Sequence, residues 1–300
     1  IGAGADVDVK GNGAGILDPG GREAAPGVLF GGRGLFLDAT ADDHLLLFAA
    51  GGAGADTFAG AGSAVVNTMN STTEAVIAGR AAVNQNNTGA ASDQAVVLRS
   101  AHDAFILDIA GSFAGAGTVG LGLAADVQVL GVTVSSHIDA GADVAANGKV
   151  GVGAASDITI LSIAAAGAYA GDAGISGSAS VVDVDSLTTA YILGDGGTQP
   201  AVDAGGGVAI TADGNFKATM IAGAVGASGT AGVGASNTTL IHDDTVSAYV
   251  GQNTVVHADG GEGLVISATS KEDILAIAAA FGAAGEVGVA GSAVVNKLTE

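Results

Sequence analysis

The feature that most limits how this chain can fold is a repeat that runs for 36 residues without an insertion or deletion. Its reference point, position zero, is an apolar residue followed by Ala. It recurs at Phe48, Ile109, Ile163, Ile221 and Ile277, at spacings of 61, 54, 58 and 56 residues. Nine residues before zero an alternating segment ends, as in Val208-Ala-Ile-Thr-Ala212 and Leu264-Val-Ile-Ser-Ala268. At zero an Ala/Gly run opens, and eight residues on stands a turn pair: Asp56-Thr57, Gly117-Thr118, Gly171-Asp172, Gly229-Thr230 and Gly285-Glu286. A small-residue segment follows, clearest in Gly62-Ser-Ala-Val-Val-Asn67 and Gly291-Ser-Ala-Val-Val-Asn296. Twenty-seven residues after zero come Ala75-Val-Ile, Ser136-His-Ile, Ala190-Tyr-Ile and Ala248-Tyr-Val. Between blocks the chain varies in length and is rich in turn residues. Rigid stacked coils joined by loops of unequal length give this pattern.

The text inside the block reads as strand. It alternates with period two, it favours Val, Ile and Thr, and Gly interrupts every Ala-rich run before a helix could form. Gly makes up 52 of 300 residues, about twice the usual share. Because Gly within an element costs roughly 0.5–1 kcal/mol against Ala, the number implies positive φ or close backbone approach, and frequent tight corners are the expected explanation. With 48% apolar residues, little aromatic volume, no Trp and no Cys, the chain is neither disordered nor disulfide-stapled.

These observations predict an all-β fold, an elongated β-solenoid of about five imperfect repeats. Residues 35–300 form the repeats, the last of them truncated, and residues 1–34 are a poorly matching part of the same solenoid with a strand near Val7-Asp-Val9. About five short strands per repeat imply two coils and roughly 10 Å of rise for each. Phe48, Ile109, Ile163, Ile221 and Ile277 are the expected core ladder. A hairpin folded about the turn at positions eight and nine is the alternative.

The repeated text resembles the large filamentous bacterial adhesins of the leukotoxin and haemagglutinin type. The resemblance is carried by Asp273-Ile-Leu-Ala-Ile-Ala-Ala-Ala280 with Gly288-Val-Ala-Gly-Ser-Ala-Val-Val-Asn296, and by Val246-Ser-Ala-Tyr-Val-Gly251. It implies a right-handed parallel β-helix, secreted and displayed at the cell surface, with a role in attachment or biofilm and no catalytic residues. The opening Ile1-Gly-Ala-Gly and the absence of an export signal suggest a piece of a longer parent chain, whose neighbouring repeats would be its first partners.

No strong site stands out. Gly51-Gly-Ala-Gly-Ala-Asp-Thr-Phe-Ala59 fits one calcium-binding nonapeptide, which makes Asp56 a weak calcium candidate. A calcium roll needs tandem copies, and the second repeat has Ser112-Phe-Ala-Gly-Ala-Gly-Thr-Val-Gly120 there, so Asp56 reads better as a turn residue. Calcium therefore stays open as a ligand, also at acidic corners such as Asp183-Val-Asp185 and His242-Asp-Asp244; no other cofactor is indicated. The five histidines, His44, His102, His137, His242 and His257, fall at different offsets and read as surface or loop residues. Tyr191 and Tyr249 share an offset with His137, as a glycan-contacting ladder or, preferably, as cover for a neighbouring strand.

The net charge of −21, from 30 acids against nine Lys plus Arg, argues against nucleic acid and anionic lipid as partners. No apolar run is long enough for membrane insertion as a helix. The expected function is a structural stalk or adhesive segment with a capacity for self-association, its receptor unspecified. Two alternatives stand beside it: a polysaccharide-acting β-helix enzyme and a calcium-binding extracellular repeat. The enzyme is disfavoured by scattered cations and the lack of paired catalytic carboxylates.

Overall fold

The computed structural model describes residues 1–13, 33–197, 199 and 201–299. Residues 14–32, within the poorly matching N-terminal segment, lie outside the described residues. The chain is a parallel β-solenoid of three five-stranded sheets that do not close into a barrel. No helix is present among the described residues.

Each repeat makes one coil. A long leading strand runs up to the turn pair, a long returning strand comes back from it, and a short strand closes the third side. The leading sheet contains β2 (Arg33–Ala55), β5 (Gln94–Ala116), β8 (Val150–Ala170), β11 (Val208–Ser228) and β14 (Leu264–Ala284). The returning sheet contains β3 (Phe58–Ile77), β6 (Val119–Ile138), β9 (Ala173–Ile192), β12 (Ala231–Val250) and β15 (Val287–Thr299). The short sheet contains β1 (Asp6–Val7), β4 (Ala82–Val83), β7 (Asp143–Ala146), β10 (Val202–Ala204) and β13 (Val256–Ala258). The expectation of two coils and 10 Å per repeat is therefore corrected to one coil, with a rise of about 4.8 Å. The Ala/Gly run does not break the strand, because alternation continues through it to the turn.

Register follows the repeat. Phe48 pairs with Ile109, Ile109 with Ile163, Ile163 with Ile221 and Ile221 with Ile277, all parallel. The turn pairs stack as well, Gly171 N–H donating to Gly117 O, Gly229 N–H to Gly171 O and Gly285 N–H to Gly229 O. The hairpin alternative is excluded on the same evidence: the strands flanking each turn pair with their copies in adjacent coils, so the turn is an arch between two sheets.

The cross-section tapers. At its wide end the three sheets enclose Leu98, Ile106, Ile138, Val144, Ile160, Ile192, Val202 and Ile210, each at most 1% exposed. Towards the arch the leading and returning sheets converge into a thin two-layer fin. Its interior holds Ala110, Ala164 and Ala222, all fully buried. Beyond them Ala still fits in places, as at Ala114 and Ala168, and elsewhere only hydrogen does: a Cβ on Gly122 would stand 2.2 Å from Gly167 O, and one on Gly226 would stand 2.0 Å from Val233 O. Close approach, more than tight corners, thus explains the glycine content of the long strands. The left-handed corners are few and lie outside the fin, at Arg80, Asn84, Gly141, Gly196, Asn253 and Gly263 among others.

The expected core ladder needs a correction. Phe48, Ile109, Ile163, Ile221 and Ile277 do form a ladder, but they point outward. Phe48 is 66% exposed and Ile277 is 42% exposed, and the three between them are half-buried. Their successors Ala49, Ala110, Ala164, Ala222 and Ala278 face inward. In a fin this thin the small member of each alternating pair is the one that fits inside.

Candidate functional site

Polar chemistry collects where the fin begins to widen, at positions −1 and +17 of the repeat. The second coil places Asp108 and Asp126 there, with Gln128 two residues further on; the third places Ser162 and Ser180. All five side chains are fully buried. Ser162 Oγ donates to Asp126 Oδ2 and exchanges a hydrogen bond with Ser180 Oγ, and Gln128 Nε2 lies 3.4 Å from Asp126 Oδ2. Both oxygens of Asp108, Oδ1 of Asp126 and Oε1 of Gln128 have no hydrogen-bond partner.

Two carboxyls removed from water favour their neutral forms. Burial, with a smaller contribution from the charge of Asp126, pushes Asp108 up to about 7. Burial also raises Asp126, against the hydrogen bonds from Ser162 and Gln128 that favour its charged form. Asp108 can therefore hold a proton near neutral pH. As metal ligands they fall short of the six to eight oxygens that calcium takes, and no group of three or more His, Cys, Asp or Glu is assembled among the described residues.

A second polar cluster lies in the wide end, between the third and fifth coils. His242 stacks on Phe216 at 3.8 Å between ring centres. Its Nδ1 lies 3.0 Å from Glu272 Oε1 and its Nε2 lies 3.5 Å from Ser186 Oγ. Ser186 Oγ donates to Asp244 Oδ1, Ser270 Oγ donates to Asp244 Oδ2 at 2.8 Å, and Thr188 Oγ1 donates to Ser156 Oγ at 2.8 Å. Ser186, His242 and Glu272 stand in the order of a nucleophile, base and acid. However, the Ser186 hydroxyl is directed at Asp244, and the side chains of Ser186 and His242 are enclosed between the sheets. What this geometry accomplishes is to join Ser186, Asp244 and Ser270, and Thr188 and Ser156, by hydrogen bonds inside the coil stack, while His242 Nδ1 and Glu272 Oε1 approach without forming one.

The histidine reading is corrected accordingly. His102 and His242 are strand residues of the interior, and His102 Nε2 lies 3.1 Å from Asp43 Oδ2. His137 is buried too, with Nδ1 3.0 Å from Ser135 Oγ. The aromatic ladder is real. His137, Tyr191 and Tyr249 stack at 4.6 and 5.1 Å, nearly parallel, one on each successive coil. Ring faces turned to one another leave little face for a sugar, which favours the strand-covering role. Burial, reinforced by Tyr249, Asp139 and Glu74, raises the Tyr191 hydroxyl above its usual range. Asp56 sits at the arch of the first coil, exposed at the fin tip, where its carbonyl lies against Gly117.

Asp108 is the residue just before position zero, so an interior position zero puts Asp108 outside and gives it no signal. Once the parity is reversed, Asp108 falls in the inward row and Asp126 opposite it.

No family model, curated protein or solved structure matches this chain.

Proposed function

We propose that this chain is a structural segment, a stalk or adhesive scaffold, of a large secreted bacterial surface protein, acting in attachment or in building fibres. The observation that carries the reading is the register. From thirteen residues before zero onward, each coil of the leading sheet pairs residue for residue with the next, and the returning sheet does the same. Every coil thus presents the next with the same ladder of N–H and C=O groups. Such a solenoid lengthens by adding coils without redesign, as a surface stalk requires. The filamentous-adhesin resemblance of its sequence supports the same conclusion, as does the acidic exterior, which suits a soluble extracellular surface.

Beads coated with the protein should be retained under flow on host-cell or abiotic surfaces above beads coated with an inert acidic protein. Equal retention on every surface tested would overturn the adhesive part of the reading. Cleavage of a polysaccharide by the purified chain, lost on substitution of its acids, would overturn the structural reading as a whole.

A further inference from the structure

The outer face of the fin is the reverse of its interior. On the leading sheet, the outward rows from Leu46 to Gly54 in the first coil, and their paired rows in the other four, contain no charged residue. This holds in a chain of net charge −21. The large side chains are the exposed ones: Leu46 52%, Phe113 58%, Tyr169 62% and Phe281 60%. Charges begin at the border. Towards the wide end stand Asp42, Asp103, Asp157, Lys217 and Asp273, and at the tip stand the acidic turn residues. An apolar centre inside a polar rim is the anatomy of a protein interface.

The face also has relief. Row zero is a ridge in every coil: Phe48, Ile109, Ile163, Ile221 and Ile277. Two residues on, the row is a valley in every coil: Ala50, Gly111, Ala165, Gly223 and Ala279. Ridge and valley lie side by side, so these two rows complement one another; in the flanking rows the same pairing sets Leu46 and Leu161 against Gly52 and Gly167, and Leu107 and Leu275 against Phe113 and Phe281. A twofold axis along the coil-stacking direction, midway between the two rows, reverses the strand direction and keeps the coil order. It sets the ridge of one copy over the valley of the other, Ile163 facing Ala165 and Ile221 facing Gly223. It also points the wide ends to opposite sides, so that Asp42 and Asp157 at the border of one copy approach Asp56 and Asp172 at the tip of the other, and like charges meet only at the rim.

We propose that this face docks a second copy of the same chain, fin against fin, in the isologous arrangement just described. The size is adequate. The uncharged rows span about 27 Å along the strands and about 24 Å across five coils, roughly 650 Å² per copy. Including the next row at the rim brings the covered area to about 800 Å² per copy, the usual size of a specific interface. An uncharged face of about this size stands at the upper end of what monomers ordinarily expose. The inference does not depend on the chain being a stalk.

The test is sedimentation velocity on the whole chain, with a cross-link. The chain should sediment as a dimer over a range of concentration. Replacing both Ile163 and Ile221 by Lys should halve the mass while leaving circular dichroism unchanged, because both side chains point outward, and should remove the concentration dependence of melting that a dimer shows. Val181→Lys, on the outer face of the returning sheet, should remain dimeric. The native chain has no cysteine, so the double variant I163C and A165C should be joined between chains by a short bis-maleimide, which spans the roughly 10 Å between packed sheets. A native monomer at the highest soluble concentration, a dimer that survives both lysines, or failure of the cysteine pair to cross-link would each overturn the proposal. So would binding of the native monomer to neutral lipid vesicles through Ile163 and Ile221, since the apolar face would then serve a membrane.

Discussion

The fin and the wide end are built by the same strands, yet they obey opposite rules. At the wide end the interior is built mainly from Ile, Leu and Val, with the cluster around His242 and Asp244 as its polar part. A few residues along the same strands the large side chains move to the outside, and the inside is Ala, Gly and Ser. The difference is spacing. Three sheets around a triangle leave room for branched side chains, whereas two sheets converging on a two-residue arch leave room for Ala or Ser and, at positions such as Gly122 and Gly226, for hydrogen alone. Hydrophobic stabilisation scales with apolar area removed from water, so the wide end supplies most of it. The fin contributes backbone ladders and close contact, and it leaves its apolar side chains available for other surfaces.

The largest test of that contrast compares two isoleucines three residues apart. Ile160 points into the wide end and is 1% exposed, while Ile163 points outward. Ile160→Asp places a charge without a partner in the core and should cost several kcal/mol, at about 3 or more. Ile163→Asp should change stability by under about 1 kcal/mol in the monomer. Denaturant unfolding measures both, and equal costs would break the assignment of inside and outside.

Overpacking tests the fin itself. Gly122→Ala puts a methyl where Gly167 O already stands, and should cost about 1–3 kcal/mol. Gly223 has nothing within 4 Å of its missing Cβ, so Gly223→Ala should be neutral or slightly stabilising. If Gly122→Ala is also neutral, the sheets do not approach as closely as described.

The buried acids at the junction give a pH dependence. Asp108 is raised from 3.8 to about 7 in the folded chain, so the native state holds a proton that the unfolded state releases. Its contribution to stability is fully present below about pH 4 and is lost as pH rises through about 7. Asp108→Asn keeps the neutral shape. Its melting temperature should exceed the native value at pH 8, and the gap should shrink towards pH 5. A gap independent of pH would mean that Asp108 does not titrate as described.

The smallest expected effect is at the fin tip. Calcium should change the melting temperature little, and Asp56→Ala should leave that response unaltered. Stoichiometric calcium binding abolished in this variant would make the arch of the first coil a true site.

Much of this architecture was legible in the residues. The indel-free block set the register, because one inserted residue would turn every following side chain to the opposite face. The Gly-Thr and Gly-Asp pairs marked the arches, and the alternating Val and Ile marked the strands. The candidate sites were far less legible. Asp108 and Asp126 stand on the two long strands of one coil and Ser186, His242 and Glu272 on three successive coils, and none of their sequence spacings is a ligand or catalytic motif.

What the sequence determined by itself was therefore the strand, the turn and the pairing of each residue with its counterpart in the next coil, since these depend on local conformation and on counting. Which of two alternating faces lies inside was decided only by the tertiary structure. Alternation defines two faces but does not rank them when one is small and the other large. The larger usually wins the interior. Here the arch draws two backbones so close that only the smaller can enter, and the ladder from Phe48 to Ile277 is turned outward for want of space.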